Sequence, residues 1–351
     1  MTLDQARRKW YSGKTRAEVV VKVAQGVRAA NEGVPIPPER ETVGQFLQDW
    51  LQGTVSTKVR PSTYSSYRDL VRLHIEPELG KLRLNKLTPG HVQTMLNRKL
   101  ASGLSPRRVE YIRAVLRIAL NQALRWGLVN RNAAALTQGP RVPKQEVEPL
   151  TPEQAGALLE AVSGDRLQAL YSVALALGLR QGEILGLSWN EVDFELGVIH
   201  VRRTLQRGNG GFMLAEPKTD RSRRSIGPLP TQLLDVLRAH RTRQAEERLA
   251  TRNWNNDWQL VFTTLTGRPL HSADVTHAFQ THLARAGLPR KRFHDLRHTC
   301  ASFLIAQGVS PRVVMEILGH SQISLTLNTY SHVMPSMQGD ALSRLSALLA
   351  P

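Results

Sequence analysis

The stretch FHDLRHTCASFLIAQGV, residues 293–309, opens a helix with a histidine and an arginine three residues apart, and the reading of the chain turns on it. Taken alone, a His-x-x-Arg pair says little. With 11 His in an arginine-rich chain of 351 residues, chance yields about one such pair. The pattern also occurs at His200/Arg203, His240/Arg243 and His282/Arg285. What distinguishes His294/Arg297 is its company. Leu318-Gly319-His320 follows 23 residues after Arg297, and Tyr330 follows ten residues later in TLNTYSH, residues 326–332. Upstream, GLRQGEILGL (178–187) places Arg180 at a break in an apolar helix. Between them, EPKTDRSRR (216–224) places Lys218 at the end of a strand.

Composition narrows the partners. The 351 residues carry 47 Lys and Arg against 29 Asp and Glu, a net charge of +18. Residues 1–150 hold +13 of it and residues 151–351 hold +5, and most of the basic residues are arginines, 37 against 10 lysines. Arginine presents a planar fork that holds a phosphate by two hydrogen bonds, which lysine cannot do. The balance favours a polyanion, nucleic acid foremost, over a small-molecule substrate. A solubilising surface is the plainer reading of the same charge. The single cysteine, Cys300, excludes an intrachain disulfide framework and a multi-cysteine zinc site. His294 and His298 have a spacing at which zinc can bind, but the glutamate of a zinc-protease motif is absent and no third ligand is evident. No phosphate-cradling Gly-x-x-x-x-Gly-Lys-[Ser/Thr] loop is present, which argues against an ATP motor. The first residues lack the apolar core of a signal peptide, and apolar runs such as Leu170 to Leu179 fall short of the ~20 residues that span a bilayer. The expectation is a cytoplasmic, nucleoid-associated protein without a membrane partner.

Two proline-rich breaks, GVPIPPER (33–40) and TQGPRVPKQEVEP (137–149), divide the chain. Residues 1–40 hold one short helix, from about Thr15 to Asn31. Residues 41–136 read as all-helical. Thr88-Pro89 and Ser105-Pro106 are N-caps followed by proline in the first turn. After Ser105, Val109, Ile112, Leu116, Ala119, Leu120 and Ala123 form one helical face, and Arg113 and Arg117 share another. That second face is a candidate for DNA contact. Residues 150–335 are mixed. Thr151-Pro152-Glu153-Gln154 is a capping box. Tyr171 to Leu187 is helical with a break at Gly178–Arg180. Val198 to Leu205 and Phe212 to Glu216 read as strands about a Gly-Asn-Gly-Gly turn, and Ser222 to Ile226 as a third. The fold class expected is mainly α with a small antiparallel β-sheet.

At this point the sequence resembles the tyrosine recombinases, the phage-type integrases, from about Thr42 onward. GLRQGEILGL is similar to the family's first arginine motif and PKTDRSRR to its lysine hairpin. HDLRH, LGH and TYSH resemble its second half, in order. RPSTYSSYRDLVRLHIEPELGKLRLNKLTP (60–89) and ALRWGLVNRNAA (123–134) resemble the SAM-like helical core-binding domain. The resemblance implies a core-binding domain at 41–136, a linker at 137–149 and a catalytic domain at 150–335. Residues 1–40 resemble only the last strand and helix of an arm-binding domain, which implies a truncated segment. The tail, 336–351, carries Leu342, Leu345 and Leu349 at helical spacing. By resemblance it packs on a neighbouring protomer in a homotetramer on two duplexes.

The resemblance further implies that DNA attachment sites are cut and rejoined through a 3′-phosphotyrosine and a Holliday junction, without ATP, metal or other cofactor. Tyr330 is the implied nucleophile, with an unperturbed pKa near 10. Arg180 and Arg297 would clamp the nonbridging oxygens. His294 and His320 would donate further hydrogen bonds, a neutral His294 would serve as general base, and Lys218 would protonate the departing 5′ oxygen. Glu183 would buttress the site. Arg221, Arg223, Arg224 and Lys291 are expected to contact the DNA backbone. A DNA-bending protein and a directionality factor are the accessory partners in view. A Xer-type resolvase of chromosome dimers, a type IB topoisomerase and a nonenzymatic DNA-binding relic of the fold are the alternatives.

Overall fold

The computed structural model describes residues 15–31, 40–143, 148–208, 211–216 and 223–319. The chain divides into two compact units between residues 144 and 145. The division falls inside the 137–149 stretch, but the start of that stretch is folded. Thr137 is buried, and its carbonyl accepts a hydrogen bond from Arg113 Nη1 at 3.2 Å.

The first unit is helical. α1 (Arg16–Asn31) stands in the segment preceding the first proline-rich break. α2 (Val43–Trp50) continues through a π turn (Leu51–Val55) into α3 (Ser56–Lys58), and α4 (Pro61–Leu70) continues through a second π turn (Val71–Ile75) into α5 (Glu76–Leu79). In each, a single wide turn re-registers the apolar stripe without breaking the backbone ladder. α6 (Pro89–Ala101) and α7 (Pro106–Arg125) begin where proline follows a capping residue. Thr88 Oγ1 accepts from His91 N and Ser105 Oγ from Arg108 N, each at 3.3 Å. The apolar face of α7 is buried along its whole length, from Val109 to Ala123, with Val115 added. Each Val, Ile or Leu so buried contributes about 1.5–3 kcal/mol. Phe46, Trp50, Val71, Ile75, Val92 and Leu96 complete that core.

The second unit is a helical body carrying strands. α8 (Pro152–Ala161) starts at the Thr151 capping box. α9 (Gln168–Leu177) is the central helix, packed against α11 (Thr231–Ala250) and α13 (Asp295–Ala306). α10 (Gln181–Leu185), α12 (Ser272–Arg285) and α14 (Pro311–Leu318) surround them. The strands form two small antiparallel sheets where one was expected. β1 (Val192–Asp193), β2 (Val198–Val201) and β5 (Arg224–Ile226) make one, in the order β1-β2-β5. β3 (Thr204–Gly208) and β4 (Gly211–Ala215) make the other. The apolar run from Val198 therefore serves two sheets, parted at Arg202–Arg203. β2 takes the later strand β5 as partner, pairing Ile199 with Ile226 and Val201 with Arg224.

Candidate active site

The break in the apolar helix is the first construction element. α9 ends in Gly178, whose backbone is left-handed at φ 58°. A side chain there would collide with Leu318 Cδ2 and lie 3.2 Å from Cys300 Sγ. Glycine thus lets α9 end directly against α13 and α14. The Gly178 carbonyl, exposed by the helix end, accepts a hydrogen bond from Arg297 Nη1 at 2.7 Å. Arg297 sits in the first turn of α13 and is only 3% exposed.

The chain then turns through buried Leu179 to Arg180, which precedes α10 in extended conformation. Glu183, one turn on, is buried. Its carboxylate accepts from the Arg180 backbone N–H at 3.0 Å and from Arg180 Nη1 at 2.7 Å. Its other neighbour is Arg224, whose Nη2 lies 3.0 Å from Oε2. Burial alone would raise the Glu183 pKa. The Arg224 and Arg180 guanidiniums outweigh it and hold the carboxyl below its ordinary range. Arg180 Nη2 also donates to the Gly319 carbonyl at 3.1 Å. The Arg180 side chain remains 40% exposed.

His294 precedes α13 and opens to solvent. Its inner edge meets His298 one turn on, with ring centroids 5.2 Å apart and planes near perpendicular. Desolvation on that inner side, then the charges of Arg297, Arg180 and Arg292, depress the His294 pKa below the ordinary imidazole value. Burial and the adjacent His294 bring His298 down to about 4. Both rings are therefore neutral at neutral pH, and His294 can accept a proton. Asp295 is held by Arg292, with Nη2 at 2.8 Å from Oδ1, and by the Arg292 backbone N–H at 2.7 Å.

The structure thus brings Arg180, Glu183, His294 and Arg297 into one cluster. Lys218, Arg221, His320, Tyr330 and the tail from 336 lie outside the described residues. The expected DNA contacts fare differently. Arg117 is exposed on α7. Arg113 is turned inward, donating to both Glu110 oxygens at 2.8 and 2.9 Å and to the carbonyls of Ala134 and Thr137. Its fork fastens the chain that follows α7, which the shared helical face with Arg117 did not foretell. Arg107 and Arg108, by contrast, are exposed in the first turn of α7, beside Tyr111. Arg223 is exposed and ion-paired with Glu216. Lys291 reaches Glu148 at 3.3 Å with most of its side chain covered. Arg224 is an interior residue, its side chain 7% exposed. Strand alternation carries the signal for it, since Arg224 and Ile226 fall on the same, buried side of β5. The other His-x-x-Arg pairs dissolve into packing. His240 and His282 are buried, the latter bonded to Tyr171 Oη at 3.0 Å, and His200 meets Ser225 Oγ at 2.8 Å.

Comparison with known proteins adds independent findings. Residues 148–337 match the model of the phage integrase family, and residues 42–100 match that of the phage integrase N-terminal SAM-like domain. The chain is 32% identical to a tyrosine recombinase XerC-like protein of Caldanaerobacter subterraneus subsp. tengcongensis, over 97% of this chain and 92% of that one. It is 28% identical to an integrase of Saccharopolyspora erythraea, over 95% and 88% of the two chains. The Tn1549 transposon integrase, solved with a circular intermediate DNA, has the same fold, with a TM-score of 0.75 at 24% identity over 87% of this chain and 99% of that one. So has lambda integrase, solved as a tetramer on a Holliday junction, with a TM-score of 0.61 at 18% identity over 91% and 89%.

Proposed function

Since the chain belongs to the phage integrase family of tyrosine recombinases, we propose that it recombines double-stranded DNA at specific sites through a covalent bond to Tyr330. In the proposed cycle, Tyr330 Oη attacks the scissile phosphorus while its proton passes to neutral His294. The bond from phosphorus to the 5′ oxygen breaks, and Lys218 protonates that oxygen. The 3′-phosphotyrosine keeps the bond energy, so a 5′-hydroxyl from a second duplex reverses the step and joins new strands. A second round resolves the Holliday junction.

The observation that carries this reading is the paired guanidinium arrangement. Among the described residues, Arg180 directs one N–H to Glu183 and one to the Gly319 carbonyl. Three of its five N–H groups remain for a phosphate. Arg297 is anchored by the Gly178 carbonyl, beside a histidine kept neutral. Donors fixed before the substrate arrives stabilise the charge that develops in an in-line displacement without reorganising. His320 would complete the set. The net charge of +18 and the exposed Arg107, Arg108 and Arg117 on α7 suit a DNA backbone. A homotetramer on two duplexes is the proposed assembly, its tail leucines lying between protomers. The integrase relatives favour integration or excision of a mobile element. The XerC-like relative keeps chromosome-dimer resolution as the second reading.

The test uses duplexes tiled from the DNA flanking the gene, each nicked so that the short 5′-hydroxyl strand escapes, with EDTA and no ATP. A covalent protein–DNA band is expected with the wild type and is lost in Tyr330→Phe. A band that survives the substitution would place the nucleophile elsewhere. Binding with no band would favour a nonenzymatic DNA-binding protein.

A further inference from the structure

We infer that Arg224 is a positioning residue of the cleavage site, the link that holds Glu183 and Arg180 in register with the end of α14. The inference rests on the recombinase reading of that site.

The geometry is a closed ring of contacts across three elements. Arg224, on β5, donates from Nη2 to Glu183 Oε2 at 3.0 Å and from Nε to the Ile317 carbonyl at 2.6 Å. Glu183, on α10, holds Arg180 at 2.7 Å. Arg180 donates to the carbonyl of Gly319, two residues beyond Ile317, at 3.1 Å. The same turn packs on the Arg224 guanidinium. Gly319 is left-handed at φ 66°, and a Cβ on it would stand 2.8 Å from Arg224 Nη1 and 3.2 Å from Cζ. One planar fork thus sets the height of the carboxylate that braces Arg180 and the path of the chain that leads into His320. Arg224 also begins the strand that follows the Lys218 segment by six residues.

Two physical arguments assign positioning rather than phosphate binding. First, the Nε and Nη2 groups that form one bidentate edge of the Arg224 fork are already directed at the Ile317 carbonyl and at Glu183. Second, Glu183 is a buried carboxylate shared by two guanidiniums. If one is taken away, the other becomes its sole counter-ion, and Arg180 is drawn toward Glu183 and off the line of a bound phosphate. Lysine at 224 keeps the charge but lacks the fork that reaches Glu183 and Ile317 together.

The test compares full-length wild type with Arg224→Lys in three measurements. The first is affinity for a short random-sequence duplex as a function of salt. The second is the single-turnover rate of covalent complex formation at saturating protein, on the nicked flanking duplexes. The third is the arginine Nε–H spectrum of the DNA-free protein. Positioning predicts unchanged affinity and salt slope, a rate lowered roughly 10- to 100-fold at saturation, and a displaced Arg180 resonance. A phosphate contact predicts weaker binding, a salt slope reduced by about 0.9 and a rate restored at higher protein concentration, and that outcome overturns the inference. An unchanged rate at saturation also overturns it. Should Arg224→Lys melt below the assay temperature, Arg224→Gln, which keeps a neutral donor for the Ile317 carbonyl, takes its place. If the wild type itself forms no covalent complex, the recombinase reading fails. The ring of contacts is then judged by the spectrum alone, where an unmoved Arg180 resonance refutes it.

Discussion

Replacing Gly178 by alanine should cost far more than the same change at another left-handed glycine of the same unit. Gly178 and Gly287 share a similar backbone, φ 58° and 65°, but a Cβ on Gly287 meets open space. At Gly287 the substitution carries only the left-handed penalty, roughly 1–2 kcal/mol. At Gly178 the new methyl also runs into Leu318 Cδ2 and approaches Cys300 Sγ to 3.2 Å. Both neighbours are buried, and overpacking a closed core adds about 1–3 kcal/mol. The excess for Gly178→Ala over Gly287→Ala is therefore about 1–3 kcal/mol. For a unit of this size each kcal/mol moves the melting midpoint by roughly 2–4 °C. Thermal denaturation of the two variants beside the wild type reads this directly. Gly178→Ala should also slow covalent complex formation, because the carbonyl that anchors Arg297 moves with the helix end. Equal midpoints for the two variants would refute the claim that the close approach of α9 to α13 and α14, rather than backbone conformation alone, demands glycine here.

Acid should destabilise the second unit through its histidines. The folded pKa of His298 is depressed to about 4, so the unfolded chain binds the proton more readily, and the stability present above about pH 6.5 is lost as pH falls toward 4. His294 and His240 are shifted in the same direction, chiefly by burial. Urea midpoints between pH 7.5 and pH 5 should fall with pH, and less steeply in His298→Asn; an identical slope in that variant would exclude His298 as a contributor. In the first unit, buried Asn132 donates to the Arg117 carbonyl at 2.8 Å and to Asn121 Oδ1 at 2.7 Å, and accepts from the Ala135 N–H at 3.0 Å. Asn132→Ala leaves these groups without their partner and should cost about 1–3 kcal/mol, read as a lower urea midpoint for the unit containing α7.

Much of the architecture was legible from local chemistry. The helix starts at Thr88, Ser105 and Thr151 depend on a hydroxyl and an amide three residues apart, and each hydrogen bond is found where the spacing placed it. The buried stripe of α7 follows from a 3.6-residue period that needs no knowledge of its partner. The cluster of Arg180, Glu183, His294 and Arg297 was visible through the resemblance of GLRQGEILGL and HDLRH to the motifs of one family, in one order. The division of the Val198 run between two sheets was not. β2 takes as its partner a strand more than twenty residues later, and pairing across that distance is settled by packing rather than by propensity.

The destination of each arginine was equally hidden. Arg113 and Arg224 read like their exposed neighbours Arg117 and Arg223, since composition assigns a charge to a residue and not to a surface. The amino-acid sequence by itself determined where helices such as α6, α7 and α8 begin, and which cations are available near an anionic substrate. Only the tertiary structure decided which of those cations are drawn inward by Glu110 and Glu183 and which stay exposed at the surface. The physical reason is that a buried charge is tolerated only beside its counter-charge and acceptors: Glu110 lies three residues before Arg113, but the Ala134 and Thr137 carbonyls that turn Arg113 inward, and Glu183 for Arg224, come from segments distant in the chain.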